Sequence, residues 1–255
     1  VQDDEAPVLT VTPLDLQVDC SEDIPPAPKQ VATDNCDIVL VDFSETIQPG
    51  GCENQYVVVR SWLATDLCGN TAEHWQHITV NDTEAPVLAG LPADAVVNIE
   101  CSEDVPVVPL VTAIDNCASP VDVEFVEIEI PGTCPNQYTI TRTWSAEDAC
   151  GNSTVFTQTI NISDTEAPVL AGLPADAVVN IECSEDVPAV PAVTATDNCN
   201  VPIVVDFSEV EIPGTCANQY TITRTWTAQD DCGNSTSFVQ TINIKIGRAS
   251  CRERV

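Results

Sequence analysis

Two residue types in this 255-residue chain are arranged so that they could do chemistry: 13 cysteines, and 40 Asp and Glu set against eight Lys and Arg and two His. Twelve of the cysteines form three sets of four: Cys20, Cys36, Cys52, Cys68; Cys101, Cys117, Cys134, Cys150; and Cys183, Cys199, Cys216, Cys232. The gaps within a set are 16 or 17 residues. Zinc sites are built from close pairs such as C-x-x-C, whereas even numbers at wide, repeating spacing in a small module make disulfides in an oxidising compartment. The carboxylates also recur. Asp82, Glu84, Asp115, Asn116, Asp148 and Asn152 have the counterparts Asp164, Glu166, Asp197, Asn198, Asp230 and Asn234. Calcium takes six to eight oxygen ligands, so each set is a candidate calcium site where one module joins the next. The competing reading is that Asp and Asn merely build turns.

Other chemistry is poorly supported. The triplet Ser102-Glu103-Asp104 and the run Glu124, Glu127, Glu129 offer paired carboxylates of the kind glycoside hydrolysis uses. The triplet occurs in every set, however, and an active site is normally single. Neither a phosphate-binding glycine loop nor a G-x-S-x-G nucleophile turn is present. His74 and His77 have no counterparts elsewhere in the chain and read as strand residues facing solvent. No catalytic activity is expected. A formal charge of −32 argues against nucleic acid as a partner and suits a self-repelling, soluble surface. No apolar run approaches the roughly 20 residues that span a bilayer. Asn81, Asn152, Asn161 and Asn234 open N-x-S/T sequons and are candidate glycan sites.

The elements that must position these residues are repeated. Asp82 to Pro106 recurs letter for letter as Asp164 to Pro188, and DEAPVL from Asp4 is a diverged third copy. This gives modules 1–81, 82–163 and 164–244. Residues 245–255, KIGRASCRERV, hold half of all the Lys and Arg and the odd Cys251. They resemble the in-frame translation of a sequencing adapter and are set aside. With no initiator Met at the start either, both ends of the natural chain are expected to be missing.

Within the second module, Tyr138–Trp144 alternates Tyr, Ile, Arg and Trp against three Thr, the pattern of a half-buried strand. SAEDACGN then marks a turn into a returning strand over Ser153–Ile162. Upstream, VDVEF and VEIEI alternate in opposite phase, which predicts a bulge or strand change between Phe125 and Val126. Trp62, Trp144 and Trp226 are expected to fill cores, with Tyr56, Tyr138 and Tyr220 on the same strands. Arg60, Arg142 and Arg224 share the tryptophans' face, so each must find a carboxylate or the rim of the sheet.

The D-T-E-A-P-V junction, the T-D-N-C motif and the R-T-W-x-A-x-D-x-C-G-N motif resemble hyalin-repeat (HYR) and related immunoglobulin-like modules of large secreted bacterial surface proteins. These modules carry four cysteines each where the simple hyalin repeat has two. The resemblance implies an all-β chain of three tandem immunoglobulin-like β-sandwich modules with two disulfides per module. It also implies that the second and fourth cysteines lie at one end of a module and the first and third at the other. Of three connectivities it favours Cys20–Cys52, Cys36–Cys68, Cys101–Cys134, Cys117–Cys150, Cys183–Cys216 and Cys199–Cys232. Functionally it implies an extracellular or cell-surface structural protein, a stiff stalk or fibre whose partners are neighbouring modules or copies of itself. The alternative is an adhesin that grips glycan or protein through module loops.

Overall fold

The computed structural model describes residues 3–35, 38–117, 120–182, 184–199, 202–215 and 219–245. All its regular structure is strand apart from three single 3-10 turns. The first module holds β1 (Val8–Leu9), β2 (Leu16–Val18), β3 (Ala32–Thr33), β4 (Leu40–Pro49), β5 (Gln55–Thr65) and β6 (Thr71–Asn81). The second holds β7 (Val87–Ala89), β8 (Val96–Ile99), β9 (Thr112–Ile114), β10 (Val123–Pro131), β11 (Gln137–Glu147) and β12 (Ser153–Ser163). The third holds β13 (Val169–Ala171), β14 (Val178–Ile181), β15 (Thr194–Thr196), β16 (Val205–Pro213), β17 (Gln219–Gln229) and β18 (Ser235–Lys245).

Each module pairs its first and third strands in a two-stranded sheet and the rest in a four-stranded one, ordered β2-β6-β5-β4 in the first module and likewise in the others. The short second strand joins the last strand in parallel, Leu16 beside Ile78 in the first module and Val178 beside Thr241 in the third. The long hairpin follows from its alternation. Ile140, Arg142, Trp144 and Ala146 are buried along β11, with the threonines between them less so. Trp144 is 2% exposed and lies between Phe125, with centroids 5.2 Å apart, and Phe156 at 6.1 Å. In the first module His74 takes the place of Phe156, its ring 6.1 Å from Trp62 and its Nε2 2.9 Å from the Pro13 carbonyl. It is a packing residue. Glycine is required at Gly90, where φ is +84° and a Cβ would come within 2.5 Å of the Leu110 carbonyl oxygen.

The break expected between Phe125 and Val126 is absent. β10 runs on to Pro131, and its counterpart β16 pairs with β17 without interruption from Val205 opposite Ala228 to Pro213 opposite Tyr220. The reason is position. As an edge strand exposed at almost every residue, β10 has no buried face whose parity must be kept. Val126, Ile128 and Ile130 therefore stand on the face opposite Glu127, exposed.

Contacts divide the chain into two compact units, and the division cuts the second module. The first unit is Val1–Ala93, Val108–Val126 and Thr143–Thr157; the second is Asp94–Val107, Glu127–Arg142 and Gln158–Val255. In the first unit Val58, Trp62, Ile78, Val80, Ala113 and Trp144 are buried. The second unit holds two apolar clusters, Ile140 with Ile160 and Ile162, and Ile222 with Ile242 and Ile244.

Candidate functional site: the junctions between modules

The disulfides join modules to one another. Cys20 bonds Cys117 and Cys52 bonds Cys150, both within the first unit; Cys101 bonds Cys199 and Cys134 bonds Cys232, both within the second. Bonded Cα atoms lie 5.0–5.1 Å apart, well inside the disulfide range. The first and third cysteines of one module thus meet the second and fourth of the next. This corrects Cys20–Cys52, Cys101–Cys134, Cys117–Cys150 and Cys199–Cys232. In the second module Cys117 and Cys150 bond back to the first module while Cys101 and Cys134 bond forward to the third. The nearest partner is then across the junction. Cys68 is a free, exposed thiol, and its expected partner Cys36 lies outside the described residues, so the expected Cys36–Cys68 bridge does too. Cys183 and Cys216 lie outside them as well, and Cys183–Cys216 with them.

Short polar contacts close each junction. As β6 passes into the second module, the Asp82 amide donates to the Asn54 carbonyl at 3.1 Å, and the Asp164 amide repeats this with Asn136 at 3.0 Å. The Asn152 side-chain amide donates to the Asp82 carbonyl at 3.3 Å and to Asp148 Oδ2 at 2.8 Å. Asp148 Oδ1 accepts from the amides of Cys150 and Asn152. Asp230 and Asn234 are built the same way on Asp164. The D-x-C-G-N motif is therefore a turn that locks itself, presents its cysteine and holds the incoming strand.

Beside it two carboxylates converge. Ligand atoms of Asp82, Asp115 and Cys117 lie within 4.8 Å of one another, as do those of Asp164, Asp197 and Cys199. The sulfurs are consumed by disulfides. Asp82 is only 6% exposed. Burial first, and then the charges of Asp115, Asp148 and Asp19, raise its carboxyl above the usual range against one hydrogen bond from the Glu84 amide. Asp164 is raised in the same way by burial and by Asp197 and Asp230. Burial also pushes Asp148 up, but hydrogen bonds from Asn152, Cys150 and Gly151 together outweigh it and hold that carboxyl low. Of the residues expected to ligate calcium, then, one pair of carboxylates per junction faces itself. Asp148 and Asn152 occupy each other, Glu84 and Glu166 are exposed, and the Asn116 and Asn198 amides donate to Cys20 Sγ and Cys101 Sγ. A third cluster, Asp3, Asp34 and Asp66, was missed. Its signal was the same D-N-C and D-x-C-G-N motifs in the first module.

The other candidates disperse. Glu127 Oε2 lies 2.7 Å from Arg142 Nε, and the Arg142 guanidinium also donates to the Pro106 carbonyl at 2.8 Å, so this carboxylate neutralises a buried cation. Glu124 alternates to the opposite face of β10. Among the sequons, Asn152 and Asn234 each spend their side-chain nitrogen on two acceptors, while Asn161 Nδ2 donates to Asn98 and Asn81 Oδ1 accepts from Gln55. Among the described residues no helix is long and apolar enough to cross a membrane.

Residues 10–80, 90–162 and 172–244 each match the HYR-like domain with four cysteines. No curated protein matches the chain. Solved structures similar to it include extracellular cadherin domains 1–5 of protocadherin gamma B2, at 13% identity and a TM-score of 0.39 over 96% of this chain and 60% of that one. Mouse cadherin-23 EC22–24 shares 10% identity, with a TM-score of 0.40, 96% of this chain covered and 99% of that one. Drosophila N-cadherin EC1–4 shares 14%, with a TM-score of 0.29, 96% of this chain covered and 76% of that one. The chain spans 60% of the protocadherin gamma B2 fragment, and likenesses at these scores say nothing about ligands or partners.

Proposed function

Because the chain belongs to the family of HYR-like domains with four cysteines, extracellular modules of structural and adhesive proteins, we propose that it is a length of stiff extracellular stalk or fibre. The observation that carries this is the placing of two disulfides between consecutive modules. Bridges within modules would stabilise each bead and leave the joints free, whereas bridges across a joint resist bending and pulling there. The near-identity of the second and third modules suits a spacer, since a recognition surface would distinguish one module. Paired Asp82–Asp115 and Asp164–Asp197 carboxylates would gain from a divalent cation such as calcium, which would relieve their repulsion and stiffen the joint further. Electron microscopy of oxidised material, of chelator-treated material and of reduced material tests the reading. Straight rods or filaments that soften on reduction are expected; flexible strings of beads in the oxidised sample would sink it. Calorimetry with calcium at millimolar concentration tests the cation separately.

A second reading has one observation behind it. Trp75 is 51% exposed and shares a strand face with His77, while Thr157 and Val239 occupy its place in the other modules. An exposed aromatic face of this kind stacks sugar rings. If the first module is an adhesin, Trp75→Ala abolishes binding on a glycan array.

A further inference from the structure

β16 is an edge strand without the usual protection. It ends the sheet order β14-β18-β17-β16, and among the described residues no strand pairs with its other side. Its nine residues, VDFSEVEIP, pair with β17 without a bulge from Val205 opposite Ala228 to Pro213 opposite Tyr220, and all but the first are exposed. Natural edges are blunted by lysine, by proline, by a bulge or by shortness. β16 has no lysine and no bulge, and its one proline is its last residue. The Gly214 amide donates to the Gln219 carbonyl at 2.7 Å. Bonded and unbonded residues alternate along an antiparallel pair, so Ile212, Val210 and Ser208 bond β17, and the amides and carbonyls of Glu211, Glu209 and Phe207 point out of the sheet.

The two faces of that edge differ. Phe207 packs on Trp226 with centroids 5.2 Å apart, and Glu209 Oε2 lies 2.7 Å from Arg224 Nε, so Phe207, Glu209 and Glu211 share the tryptophan's face. Val210 and Ile212 stand on the other face with Asp206 and Ser208, opposite Thr223 and Thr221, each more than half exposed. The C-terminal half of the edge thus offers carboxylates on one side and branched apolar side chains on the other. The first module supplies a contrast in the same frame. Its edge strand β4 reads Thr46, Ile47 and Gln48 where β16 has Val210, Glu211 and Ile212, so the apolar pair and the second carboxylate are both missing. β10 is of the β16 type, with Ile128, Glu129 and Ile130.

We propose that the β16 edge is a docking site for an extended segment of another protein in which apolar residues alternate with Lys or Arg. Such a segment adds a fifth strand to the sheet. Its main chain takes the open amides and carbonyls, its basic side chains meet Glu209 and Glu211, and its apolar ones lie beside Val210 and Ile212. Charge selects this occupant over a second copy of the chain. At a formal charge of −32 two copies repel, and two β16 edges laid together set the glutamates of one against those of the other. Among the described residues only Lys29 and Lys245 are exposed Lys or Arg, because Arg60, Arg142 and Arg224 are buried against Glu45, Glu127 and Glu209. The surface owes nothing to the joints and goes beyond the reading of the chain as a fibre.

The test uses the full chain and two labelled nine-residue peptides, one alternating Val with Lys and one alternating Val with Glu. Hydrogen exchange read by mass spectrometry should show new protection of 205–213 with the lysine peptide and none over β4. The lysine peptide should bind about tenfold or more tightly than the glutamate peptide, and its advantage should shrink as salt is raised. Val210→Lys/Ile212→Lys should abolish the protection of 205–213, with an unchanged circular dichroism spectrum showing that the variant folds. Glu211→Lys, which leaves both apolar residues in place, should lower the lysine peptide's advantage. Equal binding of the two peptides, protection of 205–213 that survives Val210→Lys/Ile212→Lys, or equal protection of β4 would overturn the proposal. Self-association of the chain alone, removed by the same double substitution, would overturn it in favour of a second copy.

Discussion

Asp82 and Asp164 are buried carboxylates facing other carboxylates, and that fixes the sign of a pH effect. Both hold their protons to higher pH when folded than the ordinary value of 3.8. The folded state therefore binds more protons than the unfolded chain, and the stability they contribute is lost as pH rises through their raised folded values. Asp66 and Asp148, held low by turn hydrogen bonds in spite of burial, act oppositely: their contribution is present above 3.8 and lost as pH falls below it. Thermal melts without divalent cations should show Tm rising as pH drops from 7 towards about 4 and falling below that. Asp82→Asn/Asp164→Asn should flatten the rise; an unchanged profile would remove the carboxylate pair as its source. Arg142 is the other residue with a calculable role, since it is 4% exposed and bonded to both Glu127 and the Pro106 carbonyl. Arg142→Ala should cost about 2–3 kcal/mol in urea unfolding, because it removes a buried side chain together with its charge-assisted hydrogen bonds to Glu127 and the Pro106 carbonyl. Glu127, 41% exposed, should cost about 1 kcal/mol or less as Gln, its carboxylate being partly hydrated already.

Among the elements, what was legible and what was not divides by range. The β11–β12 hairpin was readable because alternation over YTITRTW and a D-x-C-G-N turn are local signals, and Trp144 and Arg142 lie where that alternation puts them. The β10 bulge was misread because its alternation was taken to report a buried face, whereas an edge strand has none to report. The cysteine partners were beyond reach for a different reason. The family resemblance implies which end of a module a cysteine occupies, and nothing local to one module shows which cysteine of a neighbour it meets. The correction yields a sharp check. Cys52→Ser should leave one new alkylatable thiol, at Cys150, whereas pairing within the module would release Cys20. The loop that bridge closes spans 98 residues, for which chain entropy alone suggests about 4–5 kcal/mol; with Cys20–Cys117 already closed, about 4 kcal/mol should remain to be lost.

At the scale of the whole molecule the four bridges define a covalent route that bypasses most of the chain. A pull applied between residues 3 and 244 is carried along residues 3–20, across to Cys117, forward to Cys134, across to Cys232 and on to 244. That route has about 50 residues. Pairing within modules would leave about 140, and a fully reduced chain about 240. At roughly 3.5 Å per extended residue these correspond to contour lengths of about 170, 500 and 840 Å. Single-molecule force spectroscopy on chains held by residues 3 and 244 separates the three cases without knowledge of any unfolding force. The oxidised chain should stop lengthening near one fifth of the reduced contour. An oxidised chain that reached 500 Å before stiffening would show that the bridges lie inside modules, and would take away the physical basis for reading the joints as the parts built to carry load.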